Sequence, residues 1–112
     1  MPEPADCSVL ERVYGIIESR RYGNPEISHT AKLLQKGTAK IAQKLGEEAV
    51  ETLIEAVRGN NKKLVAESCD LLFHLMVLWA DRGVRPAEVW SEMARREGVS
   101  GIAERAARGD DA

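Results

Sequence analysis

The sequence predicts an all-α protein: an antiparallel helical bundle of four to five helices in one domain, assembled as a dimer. Three observations carry this. Hydrophobic residues make up 44% of the chain and aromatics only 4%, and the apolar positions are Leu, Ala, Val and Ile at helical rather than alternating spacing. Glycine and proline fall between the periodic stretches, at Gly23-Asn24-Pro25, Gly37, Gly59, Gly83 and Gly98, and cut the chain into helix-length pieces. With 112 residues the chain can bury one real core, yet it is small enough to gain from a partner subunit.

The elements follow in order. Ser8-Val9-Leu10-Glu11 has the form of a capping box, and Val9, Leu10, Val13, Ile16 and Ile17 set a first helix near residues 9–20. Pro25 pushes Asn24 away from helical angles, so residues 20–25 form a loop carrying Arg20 and Arg21. Residues 28–36 make a short helix with Leu33 and Leu34 inward, stopped by Gly37. Thr38 can cap a long helix over residues 38–58, with Ile41, Leu45, Ala49, Leu53 and Val57 as its inner positions. Gly46 inside it either permits a close approach or is tolerated slack. Asn60 or Asn61 caps the next helix, residues 61–82, whose second half is apolar almost all round. A small chain buries such a helix mainly against a second copy, which points to a homodimer. Pro86 opens a last helix to about residue 97. The tail pattern from Val99 is too weak for an independent element, and residues 1–7 and about 100–112 are expected to be mobile.

Composition sets limits on function. A net charge of −2 and a pI near 5.7 give no electrostatic reason to expect nucleic acid as a partner. The most apolar run, residues 71–80, is too short to span a bilayer, and the acidic, proline-broken start is unlike a signal peptide, so a cytoplasmic protein is expected. Cys7 and Cys69 read as free thiols.

The chemistry lies in two acidic clusters flanking Gly59. Glu47, Glu48 and Glu51 share one helix face, and Glu67 and Asp70 share another. Glu51 lies eight residues before Gly59 and Glu67 eight after; Glu48 lies eleven before and Asp70 eleven after. In an antiparallel hairpin, equal offsets meet, so four carboxylates converge roughly 12 and 16 Å from the turn at 1.5 Å per residue. Like charges at that spacing repel, so either the acids face water or a cation sits among them, and hard oxygen ligands suit magnesium or manganese. Lys40 and Lys44 form a stripe with Glu48, which reads either as ordinary lysine–glutamate pairing or as a phosphate-facing edge. His74, one turn after Asp70, reads as a packed, hydrogen-bonded histidine rather than a ligand.

The run from Lys40 to Glu51, KIAQKLGEEAVE, together with Glu67-Ser68-Cys69-Asp70-Leu71-Leu72-Phe73-His74-Leu75, resembles the MazG-like all-α nucleotide pyrophosphohydrolases. Ser28-His29-Thr30-Ala31-Lys32-Leu33-Leu34 and Ser100-Gly101-Ile102-Ala103-Glu104-Arg105 extend the likeness to the phosphoribosyl-ATP pyrophosphohydrolase branch, over most of the chain beyond residue 8. That branch usually has Tyr at the place of His29 and often Gly at the place of Ile27. The resemblance implies magnesium ligands at Glu48, Glu51, Glu67 and Asp70, and catalytic roles for Glu47 and Glu48. The implied reaction is hydrolysis of phosphoribosyl-ATP to phosphoribosyl-AMP and pyrophosphate, an early step of histidine biosynthesis. Arg20, Lys40, Lys44 and Arg105 are the candidates for binding the substrate's remaining charge. Two other readings compete: a general house-cleaning nucleoside triphosphate pyrophosphatase, and a non-enzymatic helical dimerisation module with a solvated acidic stripe.

Overall fold

The computed structural model describes residues 3–99 and 101–109 of the chain. Six helices occur among them and no strand: α1 (Ser8–Ser19), α2 (His29–Lys36), α3 (Thr38–Arg58), α4 (Asn61–Arg82), α5 (Pro86–Arg96) and α6 (Gly101–Arg108). The long pair α3 and α4 forms an antiparallel hairpin, and α1 and α2 pack on it.

Local chemistry sets the boundaries. Gly59 and Gly83 end α3 and α4 in the left-handed region, at φ 76° and 72°, where a residue with a Cβ is strained. The Asn60 side chain accepts from Lys63 N at 3.1 Å and caps α4. Ser28 caps α2 by accepting from Ala31 N at 3.1 Å. In α5, Pro86 is the first helical residue, and the backbone N–H of Arg85 donates to Glu88 Oε2 at 2.7 Å.

Two expected caps are corrected. Ser8 is the first residue of α1 and caps nothing; Asp6 instead accepts its N–H at 2.9 Å. Thr38 is likewise inside α3, preceded by Gly37 at φ 92°, and its hydroxyl donates to Asp81 at 2.5 Å, tying the start of α3 to the end of α4. The tail is a third correction. Residues 101–108 form α6, as their alanines and arginines are strong helix formers. All its described side chains are exposed. Of the residues expected to be mobile, 1, 2, 100 and 110–112 lie outside the described ones.

The core sits at the open end of the hairpin. Ile17 from α1, Leu33 from α2, Ile41 from the start of α3 and Met76, Val77 and Ala80 from the end of α4 form one buried cluster. Polar ties lock its rim: Tyr14 donates to the Val84 carbonyl at 2.8 Å, Trp90 Nε1 to Glu11 at 2.8 Å, and Arg21 to the Ala80 carbonyl. Towards the turn the hairpin is bare. Leu53 and Val57, expected to point inward, are 54% and 86% exposed, and Val50, Ile54, Val65 and Leu72 are exposed with them. The apolar stripe of α3 is therefore real, but only its first half faces this chain's own core. Gly46 faces open space, so it marks no close helix approach.

Candidate active site

Midway along the hairpin, α3 presents Glu47, Glu48 and Glu51, and α4 presents Glu67 and Asp70. Thr52, which no spacing singles out, marks the register. Its hydroxyl lies 2.7 Å from the Glu48 carbonyl on its own helix and 3.3 Å from the Glu67 carbonyl across the hairpin. The pairing is thus displaced by about one residue from perfect symmetry around Gly59, and the acidic groups still meet.

Three of them converge: carboxylate oxygens of Glu48, Glu67 and Asp70 lie within 4.8 Å of one another. Glu48 is only 5% exposed, Glu67 is half-buried and Asp70 is open to solvent. Oε2 of Glu48 and of Glu67 are inaccessible and have no hydrogen-bond partner. A buried polar atom without a partner costs about 1–3 kcal/mol, more when charged. The Glu67 carboxyl is accordingly held above its ordinary range, first by burial, then by a hydrogen bond with Glu51 and by the charges of Glu51, Asp70 and Glu48. Glu51 is thus beside Glu67, but exposed and outside the tight trio.

These residues fit a hard cation. Six oxygens placed 2.0–2.1 Å from magnesium are at most about 4.2 Å apart, a small contraction from the spread seen here. Two inaccessible carboxylate oxygens lacking any donor are the atoms such an ion would satisfy.

The remaining candidates are distributed around the trio. Lys44 Nζ stands 3.4 Å from Glu48 and 3.7 Å from Glu47, and these acids hold its ammonium protonated beyond the ordinary lysine range, Glu48 most strongly. Glu47, at the lip, also accepts from Gln43 at 3.3 Å. Lys40 lies further along α3, in a cleft of about 470 Å³ lined by Leu33, Lys36, Lys40, Gln43, Lys44 and Glu47. Arg20 and Arg105 belong to neither group: Arg20 lines a separate cleft with Asn24 and Ser28, and Arg105 is on the exposed α6. His74 is buried, as expected, with Nδ1 2.7 Å from the Asp70 carbonyl; this makes Nδ1 the donor and leaves Nε2 without a partner. Glu55 was not anticipated. It is 7% exposed, holds Arg58 at 3.2 Å through one oxygen and leaves the other unpartnered. Its place one turn after Glu51 was the available signal.

Fold and site together define a class: an all-helical protein whose central hairpin gathers carboxylates around one buried member, Glu48, with few cations to pair them. The family model described as phosphoribosyl-ATP pyrophosphohydrolase matches residues 10–97, and the chain belongs to that family. It is 61% identical over 102 residues to the phosphoribosyl-ATP pyrophosphatase of Azospirillum brasilense, covering 91% of this chain and 92% of that protein. To the phosphoribosyl-ATP pyrophosphatase of Gluconobacter oxydans it is 60% identical over 100 residues, covering 89% and 75%. To that of Paramagnetospirillum magneticum it is 54% identical over 103 residues, covering 92% and 94%.

Proposed function

We propose that the protein hydrolyses the α–β phosphoanhydride bond of phosphoribosyl-ATP, giving phosphoribosyl-AMP and pyrophosphate in histidine biosynthesis, with magnesium, or manganese in its place, held by Glu48, Glu67 and Asp70 and completed by Glu51. The observation that carries this is the trio of carboxylates with two inaccessible, unpartnered oxygens, in a chain of this family. When bound, the ion would neutralise polyphosphate oxygens in the transition state.

The protein's own residues do the rest. Glu48 is buried and fixed through Lys44, so its carboxylate is oriented before substrate arrives. Glu47 stands exposed at the lip, one oxygen bonded to Gln43, and is placed to orient an attacking water. Lys44, already beside both, meets the charge of the polyphosphate. A soluble nucleotide substrate suits the cytoplasm, and no helix among the described residues is long and apolar enough to cross a membrane. The net charge of −2 gives no footprint for nucleic acid.

The test is pyrophosphate release from phosphoribosyl-ATP with and without magnesium. Release should require the ion, and Glu51→Gln and Asp70→Asn should each cut turnover by orders of magnitude with helicity intact. Native rates in both variants would remove the acidic cluster from the chemistry.

The same reading includes a homodimer, though not mainly through the apolar second half of α4 from which it was expected, since Met76, Val77 and Ala80 lie there in this chain's own core. Val50, Leu53, Ile54 and Val57 form an exposed i, i+3, i+4, i+7 stripe on α3, and Val65 and Leu72 lie seven apart on α4. A second copy of the hairpin would cover both stripes at once. Sedimentation at micromolar concentration should show a dimer, and Leu53→Glu should release monomers that keep their helicity, since Leu53 is half-exposed in one chain. The native protein sedimenting as a monomer would overturn the interface.

A further inference from the structure

The cleft beside the acidic trio carries more positive than negative charge. Lys36 at the end of α2 and Lys40 and Lys44 on α3 line it, with a single carboxylate, Glu47, and the buried Leu33. Lys44 is engaged by Glu47 and Glu48. Lys36 and Lys40 have no ion pair among the described residues, which leaves their ammonium groups, with the Gln43 amide, for a ligand.

Position separates this charge from the acids. Lys40 precedes Glu48 by eight residues, about 12 Å along a helix at 1.5 Å per residue. Lys40 thus stands one turn beyond Lys44, the lysine that reaches Glu48, and Lys36 is further off, across Gly37 at the end of α2. A phosphate chain held at Glu48, Glu67 and Asp70 meets Lys44 first. That leaves Lys36 and Lys40 for a second phosphate, on another part of the same substrate.

We propose that Lys36 and Lys40 bind the phosphomonoester on the second ribose of phosphoribosyl-ATP, so that this cleft selects that substrate over ordinary nucleoside triphosphates. The proposal rests on the function proposed above and adds to it the basis of substrate choice. The charges match: a phosphomonoester carries about −1.5 to −2 at pH 7, and three lysines set against Glu47 leave a surplus of two positive charges.

The experiment compares phosphoribosyl-ATP with ribosyl-ATP, which lacks only the second ribose's phosphate, on the native protein and on the Lys36→Ala, Lys40→Ala double variant. Native enzyme should show a lower KM for phosphoribosyl-ATP. In the double variant that KM should rise by about tenfold or more, the scale of a lost charge-assisted hydrogen bond, with kcat nearly unchanged. The KM for ribosyl-ATP should rise far less, so that the difference between the substrates closes. Replacing both lysines with arginine should restore most of it. Equal rises for both substrates would place the lysines on the polyphosphate and overturn the proposal, as would an unchanged KM for phosphoribosyl-ATP. Failure of the acidic site would show differently, as undiminished turnover in Glu51→Gln and Asp70→Asn.

Discussion

Two groups of carboxylates in this molecule are treated in opposite ways. On α5, Glu92 lies between Arg95 and Arg96, with Arg95 Nη2 at 2.6 Å and Arg96 Nε at 3.1 Å, and these hydrogen bonds hold its carboxyl down at about 2. On the hairpin, Glu67 is surrounded by Glu51, Asp70 and Glu48, is half-buried, and has its carboxyl pushed up. The first arrangement is complete within the chain. The second places negative charge where, among the described residues, Lys44 alone pairs with it, on one side. A protein selected only to fold would pair these acids as it pairs Glu92; an acid cluster left short of cations is the form expected of a site that recruits one.

Matched substitutions test the contrast where it should be largest. Glu48→Gln and Glu92→Gln each keep shape and remove one charge. The first should cut phosphoribosyl-ATP hydrolysis by orders of magnitude and abolish the stabilisation by magnesium. The second should leave both intact. At a hundredfold excess over its dissociation constant, an ion that binds only the folded state stabilises by about 2.7 kcal/mol, enough for a thermal shift of several degrees in a domain of this size. In metal-free buffer, Glu48→Gln should melt close to the native protein, because relief of the repulsion from Glu67 and Asp70 offsets the lost ion pair with Lys44. Equal magnesium shifts in the two variants would mean that the trio is merely surface.

Much of this contrast was legible in the sequence. Equal offsets about Gly59 put Glu48 with Asp70 and Glu51 with Glu67, and both pairings are close enough to interact. The outward place of Glu51 was not legible. Three residues after Glu48 turn the helix by about 300°, which keeps the pair on one side but carries Glu51 to its solvent edge. Periodicity also marked Leu53 and Val57 as apolar-face positions. It could not say whether that face meets this chain's core, because that depends on how far α1 and α2 reach along the hairpin. The lysine cleft escaped for a similar reason. Lys36 and Lys40 stand on different helices, and the angle across Gly37 that brings them together leaves no trace in spacing.

A smaller effect separates the two groups by pH, in metal-free buffer, and its sign differs between them. Glu67 is raised in the folded protein, so between its ordinary value of 4.5 and that higher folded value the native state binds more protons than the unfolded one. Stability should therefore fall as pH rises through that window, and Glu67→Gln should flatten the fall. Glu92 is lowered from 4.5 to about 2, so the unfolded state binds more protons between those values. Its contribution is present above pH 4.5 and lost as pH falls towards 2, and Glu92→Gln should remove only that acid limb. The Glu92 effect is screened by solvent, because its partners are exposed. Adding magnesium should reverse the Glu67 slope, since an ion binds the deprotonated carboxylates and gains with rising pH, while the Glu92 limb stays where it was. Denaturant midpoints measured across pH with and without magnesium check all of this. A Glu67 window that does not respond to magnesium would leave the hairpin acids no different in kind from Glu92.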